Sequence, residues 1–280
     1  MKARTCLSLI VLLFISGCSA TQFFYNRADW FIERAVKDYV DLTPPQTSQL
    51  ETTVEQWLAW HRLEELPNYV DLLERMQVAL GKDFSEEHYD ALTRDFETAW
   101  YRARDRAIAD AAPLLAELSD TQVAGLLQRL TEKHKEYFDK HVAITDRKRI
   151  KQRNERVVDQ LERWLGSATP AQKRVVADWA GRAPDSYPIW FRLREHRQQA
   201  FAELLAARQK PAFSQRLQQL LADDTPYLED WEQRQLQQNR DLTKAMLLTI
   251  ENSLTQQQRD HLLAELRKIA EDIRKLLEQS

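Results

Sequence analysis

The stretch "LTPPQ" at residues 42–46 reads as the start of a helix. Thr43 carries a side-chain oxygen for the cap. Pro44 suits the first helical position, where its missing N–H leaves nothing unsatisfied. Gln46 can reach back to the amide of the capping residue. The same logic returns at "LSDTQ" (118–122), "ATPAQ" (168–172) and "LTQQQ" (254–258), each with Ser or Thr followed three residues later by Gln. Further starts are expected at Ser85, Ser214 and Thr225-Pro226. Gly81 and Gly166 stand where helices should end. Pro67, Pro113, Pro184, Pro188, Pro211 and Pro226 mark kinks or joints.

Composition points the same way. The 280-residue chain has only five Gly and no Asn-Gly or Asp-Gly pair, so β-hairpins have little support. Ala, Leu, Glu, Gln and Arg dominate, and all favour helix. Hydrophobic residues make up 43% and include eight Trp, enough for a sizeable core and too many for a disordered chain. The fold class expected is all-α, an elongated helical bundle.

The landmarks also repeat in order. Thr43-Pro44-x-Gln46 matches Thr169-Pro170-x-Gln172, and "WHRLEE" at Trp60 matches "WFRLRE" at Trp190. Phe84-Ser85 matches Phe213-Ser214. Phe96 and Trp100 match Tyr227 and Trp231. Ser119-x-x-Gln122 with Leu126-Leu127 matches Thr255-x-x-Gln258 with Leu262-Leu263. The reading is a tandem duplication of a three-helix unit. The first unit spans 43–165, with helical stretches near 43–80, 85–111 and 119–165. The second spans 166–280, with stretches near 169–209, 214–251 and 255–278. An amphipathic lead, within 18–42, precedes both. If the units are copies, Trp60 and Trp190, and Trp100 and Trp231, should share buried positions.

The first residues speak to location. Lys2 and Arg4 precede the apolar run "LSLIVLLFI" (7–15), then the small residues Ser16 and Gly17. That is the order of a signal peptide, expected over 1–17, and the run is too short to span a bilayer. Ile15-Ser16-Gly17-Cys18 resembles the bacterial lipobox, whose cysteine thiol is alkylated by diacylglycerol and becomes the first mature residue. Cys18 is therefore the expected lipidation site, and Ser19 behind it suits an outer-membrane destination. With Cys6 in the signal and Cys18 acylated, no thiol remains for catalysis, a metal or a disulfide. Loss of 1–17 also leaves 38 basic against 43 acidic residues, a net charge of −5. That balance does not suit nucleic acid.

Little else points to chemistry. No HExxH, P-loop, dinucleotide fingerprint or G-x-S-x-G occurs, so no catalytic residue, metal or cofactor is assigned. His134 and His141, seven apart, share a helix face without metal-ligand spacing. Trp57, Trp60, Trp100, Trp164, Trp179, Trp190 and Trp231 read as core. The segment "TDRKRIKQRNER" (145–156) holds six basic residues: Arg147, Lys148, Arg149, Lys151, Arg153 and Arg156. They are candidates for an anion site, for lipid A phosphates or an acidic protein face. The plainer reading is a solvated connector between units, paired with acids such as Asp223, Asp224, Glu229 and Asp230.

The run "GCSATQFFYNRADWFIERAVKDYVDLTPPQ", followed by "WHRLEELPNYVDLL", resembles an uncharacterised family of Gram-negative envelope lipoproteins. That resemblance implies envelope location and an all-α fold, and no chemistry. The Leu-Thr-x-x-Gln caps, at Leu42-Thr43 with Gln46 and Leu254-Thr255 with Gln258, are similar to the signature of Spy-type periplasmic chaperones. The functional expectation is a non-enzymatic lipoprotein held in the outer membrane through Cys18. It would face the periplasm and bind an envelope protein or an anionic envelope component. The alternatives are an envelope enzyme acting on peptidoglycan or lipid through carboxylates, or a Spy-like chaperone.

Overall fold

A computed structural model describes residues 18–82, 84–223 and 225–279, with side chains from residue 21 onward. The expected signal peptide, the side chain of Cys18, and Asp224 as a pairing acid lie outside the described residues. Within them the fold is all-α and packed as a bundle, with no strand.

The lead forms two short helices, α1 (Cys18–Tyr25) and α2 (Ala28–Lys37). Then come α3 (Pro44–Trp60), a π-helical turn (His61–Glu65) and α4 (Leu66–Leu80), forming one continuous helical run. Next are α5 (Glu86–Ala116) and α6 (Asp120–Tyr137), the latter running into a second π-turn (Phe138–Val142). The remaining α-helices are α7 (Asp146–Leu165), α8 (Pro170–Arg182), α9 (Tyr187–Ala206), α10 (Phe213–Ala222), α11 (Asp230–Asn252) and α12 (Gln256–Glu278).

The starts follow the capping chemistry. Thr43, Ser119, Thr169 and Thr255 are each the N-cap of their helix, and the Gln three residues on accepts the cap's N–H at 2.9–3.0 Å. Ser85 caps α5, with His88 in the role of Gln. Two expected starts are displaced. Ser214 lies inside α10, which begins one residue earlier. Thr225-Pro226 forms a 3₁₀ turn, and α11 starts behind Glu229. Thr145, unforeseen, caps α7 by accepting from Lys148 N at 3.4 Å. Gly166 ends α7 at φ 75°, a left-handed position that suits glycine. Pro67 has no N–H for the Leu63 carbonyl and crowds it, and the helix widens into the π-turn just there. Pro113 is accommodated inside α5, so it is not a joint.

The capping glutamines have a second function. Gln46 and Gln122 face each other and exchange amide hydrogen bonds, Nε2 to Oε1 in both directions, at 3.2 and 2.6 Å. Each Nε2 also donates to the carbonyl two residues before the other's cap, at Glu117 and Asp41. Gln172 and Gln258 repeat the whole arrangement. Their exchanged bonds are 3.0 and 2.9 Å, and the outer acceptors are the carbonyls of Ser253 and Ser167. Four helix starts are thereby joined in two clasps.

The core is shared across the two proposed units. Leu66, Leu73 and Leu80 of α4 pack on Leu266, Ile269, Ile273 and Leu276 of α12. Leu204 and Leu205 of α9 pack with Val123 and Leu126 of α6, and Ile108 and Ala112 of α5 with Leu217 and Leu220 of α10. Burial of one such leucine contributes about 1.5–3 kcal/mol. The tryptophans depart from expectation. Trp57, Trp60, Trp100, Trp164, Trp179 and Trp190 are half-buried at helix seams, and Trp231 is 48% exposed. Trp231 does not occupy the buried position expected from Trp100. Its indole N–H instead donates to Glu229 at 2.7 Å.

Candidate anion-binding site

The basic segment forms the first half of α7, and the helix divides it by face. Arg149 is buried. It pairs with Asp146 and, at 3.0 Å, with Asp185, and donates to the carbonyls of Val142 and Ile144. Arg153 lies over the Trp179 ring and donates to the carbonyls of Ala180 and Ala183, at the C-terminal end of α8. A guanidinium there meets the negative end of the helix dipole and satisfies two terminal carbonyls. Arg149 and Arg153 thus hold the α7–α8–α9 joint, and Arg149 has few donors left for a ligand. The acids Arg149 engages are Asp146 and Asp185, and Glu229 and Asp230 form no ion pair with 145–156 among the described residues. Nor is the whole segment a solvated connector. Arg147, Lys148, Lys151 and Arg156 are exposed, and Lys151 pairs loosely with Glu155 at 3.7 Å.

Arg156 belongs to a cluster that linear spacing did not show. Its guanidinium donates to the Tyr187 hydroxyl at 3.3 Å. The Tyr187 ring stacks on His141, centroids 4.8 Å apart. His141 in turn lies 4.8 Å from the ring of Tyr137, one helical turn earlier. Arg194, from α9, lies over the Tyr137 ring at 4.6 Å from its centroid. Lys140 lies beside His141 in the second π-turn. Burial, and then Lys140, Arg156 and Arg194, hold the His141 pKa below the ordinary imidazole value. Burial pushes the Tyr137 hydroxyl up to about 12, although Arg194 opposes it. Neither Arg156 nor Arg194 forms an ion pair among the described residues. Asp185, which also faces Tyr137, is paired with Arg149. Two guanidiniums therefore meet an aromatic cluster carrying hydroxyl and imidazole groups, and Lys140 adds positive charge beside His141.

Tyr137, Tyr187 and Arg194 escape the sequence reading, and His141 enters it only beside His134, because the cluster comes from three elements. The local signal available was Tyr137 and His141 at i and i+4, which share a face. His134 stays apart, stacked on Phe191 at 4.0 Å. No group of three or more His, Cys, Asp or Glu able to hold a metal forms among the described residues.

The deeply buried carboxylates are engaged elsewhere. Glu65 takes a bidentate bond from Arg102, both contacts 2.8 Å. Glu232 takes one from Arg192. Glu251 pairs with Arg259 at 2.8 Å, and Asp272 accepts from Gln22 at 3.1 Å. Each is fixed by a donor and joins helices. A second aromatic–histidine cluster lies at the first π-turn. There His61 sits between the hydroxyls of Tyr25 (3.0 Å) and Tyr69 (3.2 Å) and stacks on Trp57. Burial lowers its pKa to about 4.

Residues 38–234 match a family described as "Family of unknown function (DUF6279)". No curated protein and no solved structure matches the chain.

Proposed function

We propose that this chain, which belongs to the DUF6279 family of unknown function, is a non-enzymatic binding protein of the cell envelope. It is anchored in the outer membrane through acylated Cys18, faces the periplasm, and holds an anionic group of another envelope component. The observation that carries the binding reading is the cluster of Arg156, Arg194 and Lys140 near Tyr137, His141 and Tyr187, whose cations form no ion pair among the described residues. Arginine on an aromatic face presents its N–H edge to a phosphate or carboxylate. The engagement of Glu65, Glu232, Glu251 and Asp272 by internal donors favours binding over carboxylate catalysis. The anchor reading rests on the residues before and at Cys18, and the absence of any helix long and apolar enough to span a bilayer among the described residues is compatible with it.

Two measurements test the proposal. A diphosphorylated glucosamine disaccharide and a carboxylate-bearing muropeptide are titrated against the mature chain, to separate phosphate from carboxylate ligands. Arg156→Glu with Arg194→Glu should weaken binding of the preferred ligand by about tenfold or more, near 1.4 kcal/mol. Added salt should weaken the parent protein similarly. Arg147→Glu with Lys151→Glu should have a much smaller effect. Equal losses from both pairs would mean a diffuse field and no site. Separately, Cys18→Ala should abolish metabolic palmitate labelling, and retained labelling would refute the anchor.

A further inference from the structure

The lead carries an aromatic surface that neither the core nor the anion cluster uses. Four of the large hydrophobic residues exposed among the described residues fall within nine positions: Phe23 (52%), Phe24, Trp30 (53%) and Phe31. They form one continuous patch. Phe23 and Phe24 meet edge to face at 5.6 Å, Phe24 and Phe31 lie 5.8 Å apart, and Phe31 and Trp30 4.9 Å. Arg27 lies over Phe23 and Arg34 over Trp30, so cations border the patch. Beside Trp30 is a shallow depression lined by Glu33, Arg34, Lys37 and Asp38, with charges of both signs.

The opposite faces of the same helices are fixed to the bundle. Ile32 and Val36 pack against Leu50 and Val54 of α3. Gln22 donates to Asp272, Asn26 to Gln279 at 3.0 Å, and Tyr25 meets His61. The patch is therefore presented by the folded body, in one orientation, and not by a loose tether.

We infer that this patch lies in the interfacial layer of a phospholipid bilayer and sets how the bundle stands on the membrane. The inference rests on the proposed anchor at Cys18. Phe23 is five residues beyond Cys18 on the same helix, about 8 Å along its axis. Acyl chains at Cys18 would hold the start of α1 among the headgroups, within reach of every ring of the patch. The residue types match that layer. Trp concentrates at membrane–water interfaces, and rings with bordering arginines suit the boundary between acyl chains and phosphates. The mixed charges beside Trp30 complement a zwitterionic headgroup.

The test uses the mature chain and vesicles of phosphatidylethanolamine and phosphatidylglycerol. After acylation of Cys18 no other thiol remains, so Trp30→Cys and Lys151→Cys each accept a single environment-sensitive fluorophore. In vesicle-bound protein, nitroxide lipids should quench the label at 30 and leave the label at 151 bright. A bright label at 30 in protein that floats with vesicles would overturn the inference. So would shielding of position 30 that depends on protein concentration without lipid, since that would mean a second copy covers the patch. A second arm separates the patch from the anchor. The unacylated chain, Cys18→Ser, should still partition weakly onto the vesicles, and adding Phe24→Ser, Trp30→Ser and Phe31→Ser should lower that partitioning by about tenfold or more. Equal partitioning with and without the three serines would overturn the patch, whatever the fate of the anchor.

Discussion

The clasp between Gln172 and Gln258 allows a quantitative test of how the helix starts are held. Gln172→Met keeps the length of the side chain and removes its amide. Four interactions disappear: the Thr169 amide to Oε1 at 2.9 Å, both exchanged bonds with Gln258, and one bond shared between the carbonyl and hydroxyl of Ser253, both at 3.3 Å. Gln172 is 1% exposed and Gln258 2% exposed, so water does not replace the lost partners. At about 1 kcal/mol net per hydrogen bond the loss would be near 4 kcal/mol. Gln258 keeps its bonds to the Thr255 amide and the Ser167 carbonyl, which reduces the cost to about 2–3 kcal/mol. The first clasp is wetter: Gln46 is 8% exposed and Gln122 is half-buried, so Gln46→Met should cost less, about 1–2 kcal/mol. Urea unfolding followed by circular dichroism supplies both values from the midpoint shift at constant slope. The cycle of Gln172→Met, Gln258→Met and the double variant should show coupling of about 1–2 kcal/mol. Single costs below about 0.5 kcal/mol, or strictly additive ones, would refute the clasp as a stabilising unit.

Two further outcomes follow from the ionisable groups. Arg149→Ala removes a buried cation that joins Asp185 to two carbonyls, and should lower stability by about 3 kcal/mol, whereas exposed Lys151→Ala should stay within about 0.5 kcal/mol; equal urea midpoints for the two variants would contradict the division of α7 by face. His61 has its folded pKa lowered to about 4 by burial, so the folded state resists its protonation. The stability this gives is complete above the ordinary imidazole value, about 6.5, and is lost as pH falls from there toward about 4. Its size is at most about 3 kcal/mol. His61→Gln should flatten the pH dependence of the urea midpoint across that window, and an unchanged slope would sink the assignment.

Much of the fold is legible in the sequence because local chemistry decides where these helices begin. Thr43, Ser119, Thr169 and Thr255 lie at helix starts because a side-chain oxygen, a proline or polar first residue and a returning glutamine act within four residues. Gly166 ends α7 for an equally local reason. Ser214 and Thr225 misled because the same residue types serve turns: Thr225 bonds Asp223 and stays in a 3₁₀ turn, while a carboxylate, Glu229, caps α11. The glutamine clasps were not legible, since a capping box states one partner of the amide and not the second. The anion cluster was not legible either. Arg149, Arg153 and Arg156 share a face in sequence, yet the joint at 183–186 absorbs the first two and leaves Arg156 to meet Tyr187 and, across the rings, Arg194.

That joint and the clasps also bear on the history of the chain, for which we propose a duplication, although exposed Trp231 does not keep the position that Trp100 would give it. Support comes from relations that composition alone does not generate. The first and third helices of each unit are clasped by glutamines at matching positions, with acceptor carbonyls two residues before each cap. The first and second helices of each unit are joined by an ion pair on a buried glutamate, Glu65–Arg102 in one and Arg192–Glu232 in the other. The charges are exchanged between helices, as happens when copies drift while a cross-helix pair is kept. The second half of each unit's first helical run packs on the third helix of the other unit, α4 on α12 and α9 on α6. A lone unit would leave those faces to water, so each copy completes the other's core. The anion cluster sits where this scheme departs from symmetry. The second π-turn and α7 connect one unit to the next, outside the helix pairs that the clasps join. The connection is therefore free to carry cations that a repeated core position would not tolerate, and Arg156 there, like Arg194 facing it from α9, forms no ion pair among the described residues.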